Sequence, residues 1–169
     1  MAHSHFMYPT TFLNLYLKNT RRNSYTRKDV DFYNNKELFD LLNSKSILSQ
    51  KELLNMSLRS MEGYLFINQS LYPPHQIRRI VDKRTHHGLM YCPKCLKEDT
   101  VPYWRKKWRY FFYTVCPKHN IFLTDRCWHC YNPIKLFKMK QVDKIKYCNN
   151  CGADLSLTDT TQNSIPDKY

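Results

Sequence analysis

Hydrophobic positions in the first ninety residues recur at helical offsets. Leu38, Phe39, Leu41 and Leu42 follow Asn34 and Glu37, which have the spacing of an N-cap and its capping-box partner, and predict a helix. Ser49 and Glu52 repeat that signature ahead of Leu53, Leu54 and Met56, and a third segment carries Leu58, Met61, Tyr64 and Leu65. Two short helices, 50–56 and roughly 58–66, meeting at a sharp turn suit a helix-turn-helix unit with Arg59 near the start of the second, and suit a plain helical bundle as well. Pro73 and Pro74 close this part. Ile77, Ile80 and Val81 then mark a short amphipathic helix whose other face carries Arg78, Arg79, Lys83 and Arg84. Residues 18–35 show no clear period and read as extended loop.

After residue 90 the pattern changes from periodic apolar residues to paired ligands. All seven cysteines lie there, as Cys92 with Cys95, Cys116 with His119, Cys127 with Cys130, and Cys148 with Cys151, each pair enclosing two residues. Seven thiols and one imidazole fill two tetrahedral zinc sites with none left over, whereas a disulfide framework leaves one thiol unpaired. Pairing in sequence order gives a site from Cys92, Cys95, Cys116 and His119, then one from Cys127, Cys130, Cys148 and Cys151. Cross-bracing, with the first and third pairs sharing an ion, is the rival; it usually separates the middle pairs by fewer than the seven residues found here. Gly152, directly after the last ligand, can take a positive φ. His129 can replace a neighbouring cysteine only with difficulty, and His86 and His87 are candidates only if the count of eight fails.

Catalytic zinc needs a vacant coordination position and a nearby acid or base. Neither set leaves one, so no enzymatic role is expected and both zinc ions read as structural. With three glycines in the whole chain and no long apolar run after residue 90, this half has too little core to fold without metal, and each closed site is worth on the order of 10 kcal/mol of apparent binding.

Charge adds a partner. The chain holds 27 Lys and Arg against 14 Asp and Glu, a net +13. A polyanion is the natural counterpart, DNA or RNA backbone above all. Between Tyr103 and Tyr113 the run Trp104, Arg105, Lys106, Lys107, Trp108, Arg109, Tyr110, Phe111, Phe112 contains no acid. Its aromatics can stack bases or supply core, and packing is the expectation for Trp104, Trp108, Phe111 and Phe112; Arg105, Lys106, Lys107 and Arg109 are then left for contact. Mean hydropathy is −0.66 and apolar runs such as Tyr64 to Ile67 are far too short to span a membrane. With no apolar signal core at its start, the chain is expected in the cytoplasm.

The organisation that follows is a small α plus zinc-finger protein: a helical, helix-turn-helix-like domain over 1–90, then tandem zinc ribbons or knuckles over 91–126 and 127–155, and a polar tail over 156–169. The metal segment resembles the TniQ/TnsD target-selection proteins of bacterial transposons. Tyr91 to Asp99 (YCPKCLKED), Pro102 to Trp108 (PYWRKKW), Cys116 to His119 (CPKH), Leu123, Asp125, Cys127 and Cys130 carry the likeness, with closing support from Cys148 and Cys151. Leu58 to Leu65 (LRSMEGYL) and Pro74 are similar to the family's segment before its first zinc finger, and Thr10 to Leu17 (TTFLNLYL) resembles its first helix loosely.

The resemblance implies a non-enzymatic adaptor that links a target selector to an AAA+ ATPase, which recruits the transposase. The chain stops soon after Cys151 and so looks like the short members, whose selector is an RNA-guided CRISPR effector. A sequence-specific DNA-binding regulator using Arg59 and its helix is the alternative. A cross-braced domain of the ubiquitin-ligase type and a metallohydrolase fit less well.

Overall fold

The computed structural model of the chain describes residues 36–65, 77, 86–135 and 145–161, without the side chains of 36–38. The expected basic helix with Arg78, Arg79, Lys83 and Arg84, the 18–35 loop, the Asn34 cap, the Thr10 to Leu17 segment and the end of the tail lie outside these residues. Two α-helices open the described part, α1 (Lys36–Lys45) and α2 (Gln50–Met56). The Ser49 signature is realised in full. Its Oγ accepts the Glu52 amide at 3.3 Å while the Glu52 carboxylate accepts the Ser49 amide at 2.8 Å, so two helix-end donors are satisfied reciprocally.

The expected second helix of a helix-turn-helix is absent at this place. Leu58–Met61 is a single 3-10 turn, Glu62 is extended, and Gly63 turns the chain at φ +87°. The apolar spacing suits this as well as it suits an α-helix, because residues three apart eclipse one another in a 3-10 turn. Leu58 is fully buried with Ile77 and Tyr110, and Met61 and Leu65 pack against them. Arg59 sits on the turn and pairs with Glu62 at 3.2 Å.

The larger body begins at Gly88. Helix α3 (Pro93–Glu98) has Cys92 as its N-cap and Pro93 at its first position, where a missing N–H costs nothing. A second 3-10 turn (Lys106–Arg109) follows, then the antiparallel hairpin β1 (Val115–Cys116) with β2 (Ile121–Phe122), and a last 3-10 turn (Leu155–Leu157) packs against α3. Isolated bridges tie the loops: Tyr91 to Thr124, Arg126 to Pro133, Tyr147 to Asp154.

One core serves the whole body. Tyr91, Leu96, Trp108, Ile121, Ile134 and Leu155 are buried together with Cys92, Cys95 and Cys116 of the first predicted finger and Cys127 and Cys148 of the second, so packing runs past position 126. Leu155 is fully buried, and just beyond it Thr158 Oγ1 lies 3.0 Å from the Tyr91 hydroxyl. Trp104 and Trp108 meet edge to face at 6.0 Å, and Trp104 Nε1 donates to the Met90 carbonyl at 2.9 Å. Packing thus holds for Trp108 and Trp104, whereas Phe112 is exposed and stacks on Tyr110. Gly88 is where the body closes on itself: a Cβ there would fall onto the Asp125 carbonyl oxygen and the Ile134 amide nitrogen. Among the described residues no helix is long and apolar enough to cross a membrane.

Candidate metal centres

Three of the four ligand pairs lie on the same turn. After His119, Cys130 and Cys151 the next residue takes a positive φ, +50° at Asn120, +55° at Tyr131 and +77° at Gly152. That backbone lets its amide return to the carbonyl of the pair's first ligand, Cys116 at 2.8 Å, Cys127 at 3.0 Å and Cys148 at 3.0 Å. Gly152 suits the conformation, as its sequence position suggested, and asparagine tolerates it. Tyr131 is the exception, a bulky residue held there by the turn and by Arg126, whose guanidinium donates to the Tyr131 carbonyl at 3.1 Å. The fourth pair is built differently, with Cys92 capping α3 and Cys95 inside it, their spacing set by the first helical turn.

These turns bring together the two predicted sets and no mixture of them. Cys92, Cys95, Cys116 and His119 form one cluster and Cys127, Cys130, Cys148 and Cys151 the other, with the ligand atoms of each within 4.8 Å of one another. All seven cysteines are free thiols. His119 turns Nδ1 toward the sulfurs, at 3.3 Å from Cys92, 3.4 Å from Cys95 and 3.5 Å from Cys116, while Cys95 and Cys116 are 3.7 Å apart. In the second cluster Cys127 and Cys151 are 3.6 Å apart, Cys130 and Cys148 3.7 Å. A zinc ion about 2.3 Å from each sulfur and about 2.0 Å from an imidazole nitrogen sets edges of about 3.8 Å and about 3.5 Å in a regular tetrahedron. Both clusters fit such an ion, and neither leaves a position for water.

Burial pushes the Cys92 thiol far up and the Cys127 thiol to about 12. Against the same burial, amide and thiol hydrogen bonds from Asn132, Cys151 and Asn150 bring Cys130 down to about 6. Four sulfurs in contact cannot all be thiolates without a cation among them. Backbone N–H groups of Cys95, His129 and Asn150 each lie 3.4 Å from a sulfur, and the Asn150 side-chain amide lies 3.6 Å from Cys130. His129 therefore offers its amide to the Cys127 sulfur, and its ring meets Trp128 edge to face. His86 and His87 lie outside both clusters.

The basic run between the halves of the first centre makes contacts within the chain. Arg105 makes two hydrogen bonds to the Asp99 carboxylate, at 2.7 and 3.0 Å, and stacks over the Tyr103 and Trp108 rings. Lys106 donates to the Asn55 carbonyl at 2.6 Å and to Ser60 Oγ at 2.8 Å, tying this body to the end of α2. Arg109 is buried, with 4 % of its surface exposed. Of the four, Lys107 alone is exposed, and its ammonium sits 5.2 Å from the Tyr113 ring centre. Sequence by itself does not distinguish a guanidinium facing phosphate from one facing an internal carboxylate.

Glu98, three residues after Cys95 on a helix, shares its face, a placement helical spacing alone signals, and accepts from His119 Nε2 at 2.9 Å.

A family model described as TniQ matches residues 1–123. The match takes in every ligand of the first centre and ends before Cys127. No curated protein matches the chain.

Proposed function

Because the chain belongs to the TniQ family, whose role lies in transposition, we propose that it is a non-enzymatic adaptor joining a target-selection complex to an AAA+ transposition regulator and to target DNA. The observation that carries this reading is the family match itself, running through the whole helical part and the complete first metal centre. Two closed tetrahedra support it from the side of chemistry. Two zinc ions held by eight protein ligands have no site at which to activate water, so they build a rigid body and the surface on it does the work. The selector in this reading is an RNA-guided CRISPR effector.

DNA or RNA is held by its backbone rather than read. Lys94 and Lys97 on α3, and Lys107, are exposed on the zinc body, and Arg78, Arg79, Lys83 and Arg84 add to them from outside the described residues. Such contacts position without specifying. The regulator reading needs a recognition helix carrying Arg59, and the 3-10 turn there has only four residues. Co-purification decides between them: the adaptor retains its AAA+ ATPase, most strongly with ATP and duplex DNA, and its own DNA affinity is modest and falls steeply as salt rises. Failure to retain the ATPase, together with a single preferred duplex in a binding selection, overturns the adaptor.

A further inference from the structure

We propose that Glu98 is a positioning residue for the first metal centre, its carboxylate holding His119 in the tautomer and ring orientation that turn Nδ1 toward the three sulfurs. The proposal rests on the zinc assignment above and goes beyond it, since the ligand set by itself does not say how the imidazole is oriented. A neutral imidazole carries one N–H. If Nδ1 is to bind a metal, that hydrogen must sit on Nε2, and an acceptor there selects the binding tautomer and raises the basicity of the other nitrogen. Glu98 Oε1 is that acceptor, 2.9 Å from Nε2.

The carboxylate is itself held. Its second oxygen accepts from Lys118 Nζ at 2.6 Å, so the two residues gripping it are neighbours on the Cys116–His119 turn. The same short helix that supplies two sulfurs, from Cys92 and Cys95, therefore also supplies the group that aims the fourth ligand. Because Cys95 and Glu98 are three residues apart, any helix that delivers the sulfur delivers the carboxylate beside it. The His119 side chain is only 8 % exposed, and Glu98 Oε1 meets its outer nitrogen at 2.9 Å. Amides stand against sulfur in both centres, from Cys95 in the first and from His129 and Asn150 in the second, and the Glu98 carboxylate is added in the first.

The test uses the full chain loaded with zinc, and with cobalt so that the histidine-containing and all-cysteine centres are told apart by their absorption. In Glu98→Ala the first centre releases metal to a chelator about 10–100-fold faster, and the second at the wild-type rate. In Glu98→Gln, whose amide oxygen still accepts from Nε2–H, the loss is smaller. In Lys118→Met, which removes only an exposed ion pair, release stays within about fivefold of wild type. Nitrogen NMR of the His119 ring in the wild type finds Nδ1 bound and Nε2 protonated, with the Nε2 signal moved in Glu98→Ala. Unchanged release in Glu98→Ala, equal acceleration of both centres, or Nε2 as the bound nitrogen overturns the proposal. Fewer than two zinc ions in the wild type overturns the metal assignment and this proposal with it, whereas two zinc ions with unchanged release overturns this proposal alone.

Discussion

The cluster with His119 and the all-cysteine cluster share the same knuckle turn but sit at different depths. Cys92, Cys95 and Cys116 are at most 3 % exposed and pack against Leu96, Trp108 and Ile121, so the first centre is part of the core. In the second, Cys127 and Cys148 reach that core while Cys130 is half-buried and Cys151 is at the surface. The first centre is thus a nucleus around which aromatics are arranged. The second is a clasp, pinning the segment that leads to Leu155 and Thr158 back onto Tyr91 and α3. Donor number alone does not set how a site behaves; access of protons and chelators to its sulfurs does.

That difference can be broken most forcefully by removing metal. A strong chelator should strip the chain in two phases, the second centre first, and near-ultraviolet dichroism from Trp104 and Trp108 should survive the first phase and vanish in the second. With on the order of 10 kcal/mol of apparent binding for each ion, complete removal should unfold the body. A single phase would mean that the centres stand or fall together. Next in size, Cys95→Ser should leave no folded zinc body, whereas Cys151→Ser should keep the first ion and near-native Trp signals, measured by zinc content and dichroism; equal damage from both would erase the distinction drawn here.

A smaller effect tests the seam between the centres. Gly88→Ala places a methyl group against backbone atoms of Asp125 and Ile134, and should cost about 3 kcal/mol in thermal or denaturant unfolding of the loaded protein. Smallest of all, Ser49→Ala removes the capping box of α2 and should cost about 1 kcal/mol, seen as faster amide exchange in α2 with zinc release from both centres unchanged. If zinc release changed as well, the helical part would be coupled to the metal body more tightly than the Lys106 contacts suggest.

What could be read from sequence follows the same division. Ligand pairs were legible because coordination chemistry fixes residue type and spacing, and Ser49 with Glu52 because a capping box is local. The Leu58 to Leu65 segment was not, since Leu58 and Met61 satisfy a 3-10 turn as readily as an α-helix and Gly63 decides between them. The contacts of Arg105, Lys106 and Arg109 within the chain were not legible because they come from the fold: a carboxylate at Asp99, a carbonyl at the end of α2, a buried setting. Tyr131 at positive φ carries no sequence mark, since the turn imposes its backbone.

X-ray absorption at the zinc edge of the purified full chain examines the closed centres most directly. With two ions per chain the account predicts sulfur and nitrogen scatterers in a ratio of seven to one, as the seven cysteines and His119 require, and no oxygen in the coordination shell. An oxygen scatterer near about 2.0 Å, or a sulfur share well below that ratio, would place water or another donor on zinc and contradict it.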